Sequence, residues 1–251
     1  MKRSETVAGK ISRETLARLE KLAGLYALPD GASGALAAIL ALQAVDPTAS
    51  TSVRAPADAV DRHVADSLSV LVLDEVRAAQ RIADLGSGAG WPGLALAAAL
   101  PGAQVSLVES AIRHCRYLER AVEEAGLTNV TVVHARAEEW AEGAGAEDLV
   151  TARALAALPV LCEYAAPLLA EGGSLVAWKG AVAPEELADG HAAARILGLE
   201  PAEPLRVHPY AGARDHTLHA FRKIAPTPDR FPRRPGIATK RPLSVKALHQ
   251  H

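Results

Sequence analysis

Cysteine is nearly absent. Cys115 and Cys162 are the whole supply, too few for a disulfide scaffold or a zinc knuckle, and both read as small core residues of a cytoplasmic protein. No metal site is expected. Aromatic residues make up only 4% of the chain, so the core must be built from Ala, Leu and Val. No apolar run approaches the ~20 residues that a membrane span needs. The start, Met1-Lys2-Arg3-Ser4-Glu5, leads into a charged helical pattern where a signal peptide would have an apolar stretch. Internal repeats are absent too.

What the chain has is length, apolar content and an uneven charge. Its 251 residues, 49% of them hydrophobic, suit one large α/β domain with a small helical extension. The net charge of −2 conceals a division. Residues 206–251 carry ten Lys and Arg against two Asp and Glu, whereas the first 205 carry 17 basic and 27 acidic residues. A basic end on an acidic body marks an electrostatic contact surface.

Leu16, Leu19, Leu22 and Leu25 recur at spacing three and predict a helix over 12–28, with Ser12 as N-cap and Pro29-Asp30-Gly31 as its stop. A second helix is expected over 33–45, a loop from Pro47 to Pro56, and a further helix over 58–73. From residue 81 strands and helices alternate. Strands are expected at 82–85, 105–108, 130–133, 149–151 and 175–178, and helices at 92–100, 113–125, 158–169 and 185–197. That order implies a mostly parallel, doubly wound sheet. Two last strand-like runs, near 205–207 and 217–221, have a link short enough for an antiparallel pair. The tail from Pro226 holds five prolines and reads as irregular. These features divide the chain into a helical extension (1–57), a catalytic domain (58–224) and a basic tail (225–251).

Ala83-Asp84-Leu85-Gly86-Ser87-Gly88-Ala89-Gly90 follows the first strand, where open α/β sheets bind ligands. Read from Gly88, the stretch fits the dinucleotide pattern; read from Gly86, the third glycine position is Trp91 and it does not. Asp84 discriminates. A carboxylate beside the loop opposes a pyrophosphate but suits S-adenosylmethionine, which carries a sulfonium and an ammonium and no phosphate. Glu109, ending the second strand, can accept both ribose hydroxyls. Ala137 and Glu138, after the third strand, stand where an adenine edge would be read. After the fourth strand come Thr151-Ala152-Arg153-Ala154, with neither the Asn/Asp-Pro-Pro-aromatic segment of amino-directed methyltransferases nor a cysteine set to act as nucleophile. Arg153 can hold a phosphate or the O6/N7 edge of guanine. In Arg62-His63-Val64-Ala65-Asp66-Ser67, the residues His63, Asp66 and Ser67 share a helical face and read as a polar patch on the acceptor pocket.

Together these stretches resemble the RsmG (GidB) family. So do Asp84 to Gly93 ending in Trp-Pro-Gly, Arg136-Ala137-Glu138-Glu139, Trp178-Lys179-Gly180, and the tail segments Phe231 to Gly236 and Lys240 to Leu243. The resemblance runs over about residues 50–245. It implies a class I S-adenosylmethionine-dependent methyltransferase: an α/β, Rossmann-like, seven-stranded sheet, mostly parallel with an antiparallel last strand. It implies methylation of a guanine N7 in the 530-loop region of 16S ribosomal RNA, free or within the small ribosomal subunit, and neither a DNA nor a membrane partner. It gives Gly86, Trp91, Ala137, Glu138 and Arg153 to the cofactor, joined on the residue reading by Asp84, Ser87, Gly88 and Glu109. His63, Arg136 and Lys179 would lie near the RNA, and Arg153, His63 and Arg136 carry the catalytic expectation. Two features depart from the family pattern: Trp91 stands where Phe or Leu is usual, and the usual Trp-Asn pair is missing around Leu42 to Val45.

Rival readings are a methyltransferase of small molecules, an NAD-dependent oxidoreductase, and an RNA-binding module without catalysis. The sparse aromatics leave Tyr210 and Phe231 as stacking candidates near the basic end, so recognition by shape and backbone is expected. The reading predicts that Arg153→Ala lowers methyl transfer strongly while the fold survives; near-normal activity in the folded variant would reject the role.

Overall fold

The computed structural model describes residues 11–245. α1 (Arg13–Tyr26) begins where the Ser12 hydroxyl accepts the Thr15 backbone N–H at 3.1 Å. It closes on Ala27 in a left-handed conformation, two residues before Pro29. α2 (Ala32–Val45) is mostly buried, and Arg54 covers its carbonyl end by donating to Gln43 O at 3.1 Å and to Asp46 O.

The helix expected over 58–73 is broken into pieces. α3 (Pro56–Ala59) passes into a π-helical turn at Val60–Ala65, then α4 (Asp66–Leu68) and a 3-10 turn at Ser69–Val72; α5 (Asp74–Ala78) follows. A π turn holds an extra residue and re-aims the side chains it carries, often at a functional site. Here those side chains are Arg62 and His63.

β1 (Arg81–Leu85), β2 (Gln104–Glu109), β3 (Val130–His134), β4 (Glu147–Arg153), β5 (Leu169–Lys179), β6 (Leu199–Pro201), β7 (Leu205–Arg206) and β8 (Thr217–Lys223) form one sheet, ordered β3-β2-β1-β4-β5-β8-β6. β1 to β5 pair in parallel, and β8 is antiparallel to β5. Eight strands stand where seven were expected because the edge is split. β6 pairs with one end of β8 and β7 with the other, with Pro204 between them. Proline has no N–H to give a ladder, so an edge strand breaks there. Across its width the sheet still has seven positions.

Helices cover both faces. α6 (Gly93–Ala99) and α7 (Ile112–Ala125) share one core with α1 and α2, in which Leu19, Leu36 and Leu40 meet Leu94, Tyr117 and Leu118. On the other face lie α8 (Leu158–Ala165) and α9 (Pro184–Ile196). α8 stops four residues short of its expected end at 169, since Pro167 cannot continue a helix and β5 takes over from Leu169.

The tail is irregular apart from α10 (Ile237–Lys240), yet it is pinned. Phe231 and Leu243 are buried in the α8–α9 core. The buried Glu163 carboxylate accepts from Arg233 N at 3.1 Å, Nε at 2.8 Å and Nη2 at 2.5 Å, and Glu138 accepts from Gly236 N at 3.1 Å. Arg230, Arg234, Lys240 and Arg241 stay exposed along it.

The strand order reverses at β1. The chain runs outward through β2 and β3 on one side and through β4 and β5 on the other, which opens a crevice at the carboxyl ends of β1 and β4.

Removing one partner of a fully buried ion pair costs about 3–5 kcal/mol. Arg233 keeps a quarter of its side chain exposed, so Glu163→Ala should cost less, on the order of 2 kcal/mol. Urea unfolding measures the cost, and limited proteolysis should cut the tail near Arg230 and Arg234 sooner. Unchanged stability together with an unchanged digestion pattern would show that this clamp does not hold the tail.

Candidate active site

A cleft of about 670 Å³ occupies the crevice, within the range of small-ligand sites. Its walls are the β1 loop with Gly86, Ser87, Gly88 and Trp91, the β4 end with Arg153, the π turn with Arg62 and His63, and the segment before β8 that includes Tyr210 and His216.

Beneath the loop lies Asp84, 1% exposed. Its Oδ1 accepts from the Thr151 hydroxyl at 2.9 Å, and its Oδ2 from Gly93 N at 3.3 Å. Burial pushes its carboxyl up to about 6, against the pull of Thr151 and Gly93. A Cβ on Gly93 would fall 2.9 Å from Asp84 Cβ and 2.3 Å from Leu107 Cδ2, so only glycine lets α6 start this close to the strand. At Gly86, with φ at +65°, a Cβ would meet Leu155 Cδ1 at 2.6 Å. The missing side chain leaves backbone bare at the cleft wall. Glu109 lies behind the loop and accepts from Gly88 N at 3.0 Å and Ala111 N at 2.8 Å. Neither Asp84 nor Glu109 lines the cleft; each holds the loop that does.

Arg153 ties the walls together. Its Nη1 donates to Asp66 Oδ2 at 2.8 Å and to Arg62 O at 3.1 Å. Its Nη2 lies 3.0 Å from His63 Nδ1. A guanidinium has no acceptor, so His63 Nδ1 must present its lone pair, and the ring proton sits on Nε2, directed to Thr51 Oγ1 at 3.0 Å. Burial, with the Arg153 and Arg62 charges added, lowers the His63 pKa to about 3. His63 is therefore neutral and its one lone pair is engaged. The other Asp66 oxygen accepts from His216 Nδ1 at 2.9 Å, and Asp66 O accepts from Trp178 Nε1 at 3.0 Å.

Trp91 is stacked on His63, ring centroids 5.8 Å apart and 15° from parallel. Its Nε1 donates to Gln43 Oε1 at 2.7 Å, and Gln43 Nε2 donates to Val53 O at 2.8 Å. The two departures from the family pattern thus lie against each other: a glutamine near the end of α2 serves the indole that replaces the usual side chain.

The cleft gathers Gly86, Ser87, Gly88, Trp91, His63, Arg153 and Lys179, whose Nζ pairs with Glu186 at 2.7 Å. Arg136, Ala137 and Glu138 lie outside its lining; Arg136 is exposed, and Glu138 serves the tail through Gly236 N. Ser67 lies outside the cleft lining, with a buried hydroxyl that finds no partner among the described residues. Gln43, Thr51, Thr151 and His216 were not singled out from sequence. All four act through residues far away in the chain, which no local pattern announces. Among the described residues, no group of three or more His, Cys, Asp or Glu is placed to hold a metal ion, and no helix is long and apolar enough to cross a membrane.

The model of the family described as rRNA small subunit methyltransferase G matches residues 45–211. The chain belongs to this family. Ribosomal RNA small subunit methyltransferase G of Rubrobacter xylanophilus is 43% identical over 196 residues, covering 76% of this chain and 75% of that one. The protein of the same name from Desulfitobacterium hafniense is 39% identical, covering 77% and 81%. Among solved structures, a SAM-dependent methyltransferase from Aquifex aeolicus shares the fold at TM-score 0.51 and 14% identity, covering 67% of this chain and 93% of that one. The Methanococcus jannaschii fibrillarin pre-rRNA processing protein does so at 0.50 and 18%, covering 62% and 74%. In this family member the class I methyltransferase sheet therefore carries the cleft.

Arg153 has a larger structural load than its sequence setting suggests. Truncating it strands one Asp66 oxygen and the His63 lone pair in buried positions, so Arg153→Ala is expected to cost stability, whatever it does to activity. Asp84 supplies a test with a defined sign. Its folded pKa, about 6, lies above the unfolded value of 3.8, so its contribution to stability is present below the unfolded value and lost as pH rises through about 6. Asp84→Asn removes that loss. Between about pH 4.5 and about pH 7.5 the variant should gain roughly 2 kcal/mol on the wild type in urea unfolding. A difference that does not change with pH would contradict the burial of a charged Asp84.

Proposed function

We propose that this cleft transfers a methyl group from S-adenosylmethionine to N7 of a guanine in 16S ribosomal RNA. The enzyme class and cofactor are those of the family to which the chain belongs. The target atom is supported by the state of His63. Guanine N7 has an in-plane lone pair and needs no proton removed before attack, and the imidazole beside the glycine loop is neutral with its lone pair taken by Arg153.

The residues present suit the cofactor. Bare backbone at Gly86 and Gly88 permits close approach, and acidic Asp84 and Glu109 behind the loop favour a cationic ligand over a phosphate. When bound, the cofactor supplies an electrophilic methyl on a sulfonium. The chain supplies position. Asp84 and Glu109 set the loop, Trp91 is braced by Gln43 and His63, and Arg153 joins β4 to the π turn. Alignment of this kind can contribute about 7–11 kcal/mol to a two-substrate reaction.

Arg62 and Arg214 lie at the cleft as exposed cations, and the tail adds Arg230, Arg234, Lys240 and Arg241. Such groups grip phosphates by a force that salt weakens. A small-subunit substrate, free or assembled, accords with this surface and with a cytoplasmic location.

The test offers methyl-labelled S-adenosylmethionine to the purified protein with small ribosomal subunits, with their stripped RNA, and with a metabolite extract. Label at one guanine N7 of the ribosomal RNA, declining as salt rises, is the expected outcome. Label confined to the extract would replace the proposal with a small-molecule substrate.

A further inference from the structure

The segment before β8 forms the wall of the cleft that the cofactor loop does not use. Four of its residues, Tyr210, Arg214, Asp215 and His216, line the cleft. Asp66 fixes His216 by accepting its Nδ1 proton, which leaves the lone pair of the neutral ring on Nε2. Among the described residues that nitrogen's hydrogen-bond partner is the Tyr210 hydroxyl, at the long distance of 3.5 Å, and the two rings meet edge to face with centroids 5.6 Å apart. Asp215 is exposed, and no ion pair or side-chain hydrogen bond holds its carboxylate among the described residues. Its backbone is left-handed, with φ at 53°, a conformation that Asp adopts more readily than most side chains.

Two acceptors on consecutive residues line this wall, next to the exposed Arg214. Guanine carries its matching donors, N1–H and the 2-amino group, on the edge opposite N7. A guanine held by that edge against Asp215 and His216 would direct N7 away from them, into the cleft that Gly86, Ser87 and Gly88 also line. We infer that Asp215 and His216 form the acceptor-base subsite, reading the N1–H and 2-amino edge of guanine and thereby aiming N7 at the methyl group. The inference rests on the proposed guanine-N7 activity and adds the residues that choose the base.

The arrangement also favours the reaction itself. As N7 is methylated the ring becomes cationic, N1–H and the amino protons become stronger donors, and their bonds to a carboxylate and an imidazole strengthen. Interactions stronger in the transition state than in the ground state raise the rate of the chemical step. Adenine offers an acceptor at N1 and no 2-amino group, so it meets this wall with lone pair against lone pair.

The experiment uses the full chain and small subunits assembled on ribosomal RNA with either guanosine or inosine at the methylated position. Inosine keeps N7, O6 and N1–H and lacks only the 2-amino group. The wild-type enzyme should methylate the inosine substrate about 5- to 150-fold less efficiently, the span expected for one well-made base contact. In Asp215→Gly, which removes the acceptor and suits the left-handed backbone, that ratio should fall to within about threefold, with S-adenosylmethionine affinity unchanged by calorimetry. Equal methylation of both substrates by the wild type, or the same ratio in wild type and variant, would overturn the subsite while leaving guanine-N7 transfer standing. No label at N7 of the guanosine substrate would overturn the underlying activity and the subsite with it.

Discussion

A carboxylate buried without a cation in contact holds this active site in place. Asp84 joins three elements that must meet for the cleft to exist: β1, which carries it, β4 through the Thr151 hydroxyl, and the start of α6 through Gly93 N. Its burial is costly, as its raised pKa records. The compensation is geometric. Two oxygens in fixed positions define where the glycine loop leaves the sheet and where the next helix begins. A neutral apolar side chain would pack well here but would leave Gly93 N without that acceptor and the Thr151 hydroxyl with only the Ala83 carbonyl at 3.5 Å among the described residues.

Arg153 does for the walls what Asp84 does for the floor. Its donors reach Asp66, Arg62 O and His63, and all three acceptors lie on the segmented helix. His63 and Asp66, three apart, share one side of that helix, and Arg62 O there accepts from the Arg153 side chain. The sharing of Asp66 between Arg153 and His216 then links the end of β4 to the segment before β8 through one carboxylate. An imidazole oriented by a buried carboxylate is usually read as a base. The proposed guanine-N7 transfer gives it different work, because nothing must be deprotonated before N7 attacks.

Much of this was legible in the sequence where the signal is local. The Ser12 cap, the alternation from residue 81, the glycine loop and the place of Arg153 each follow from residue type and spacing within a few positions. Long-range pairings were not legible. That Thr151 sits level with Asp84 is a matter of parallel register, and no residue near either position encodes it. The contact of Gln43 with Trp91 spans 48 positions; from sequence the two were separate departures from a pattern, and only their contact shows that one accommodates the other. The π turn was read as an ordinary helix because one inserted residue barely changes apolar periodicity. Ser67 was placed in the polar patch for the same reason, and the shifted register turns it into the core.

The tail shows how one charge pattern can serve two purposes. Its excess of Lys and Arg was read as a contact surface, and the structure divides that excess. Arg233 is spent on the buried Glu163, and the Gly236 backbone is held by Glu138, so the segment packs as part of the second core. Only then do Arg230, Arg234, Lys240 and Arg241 become a fixed surface and not a loose cationic chain. A fixed array loses less entropy when it meets a phosphate backbone, and it can impose an orientation on the RNA. Glu138 belongs in this account whatever it does toward an adenine: by fixing the tail it couples the turn after β3 to the surface that would carry the substrate.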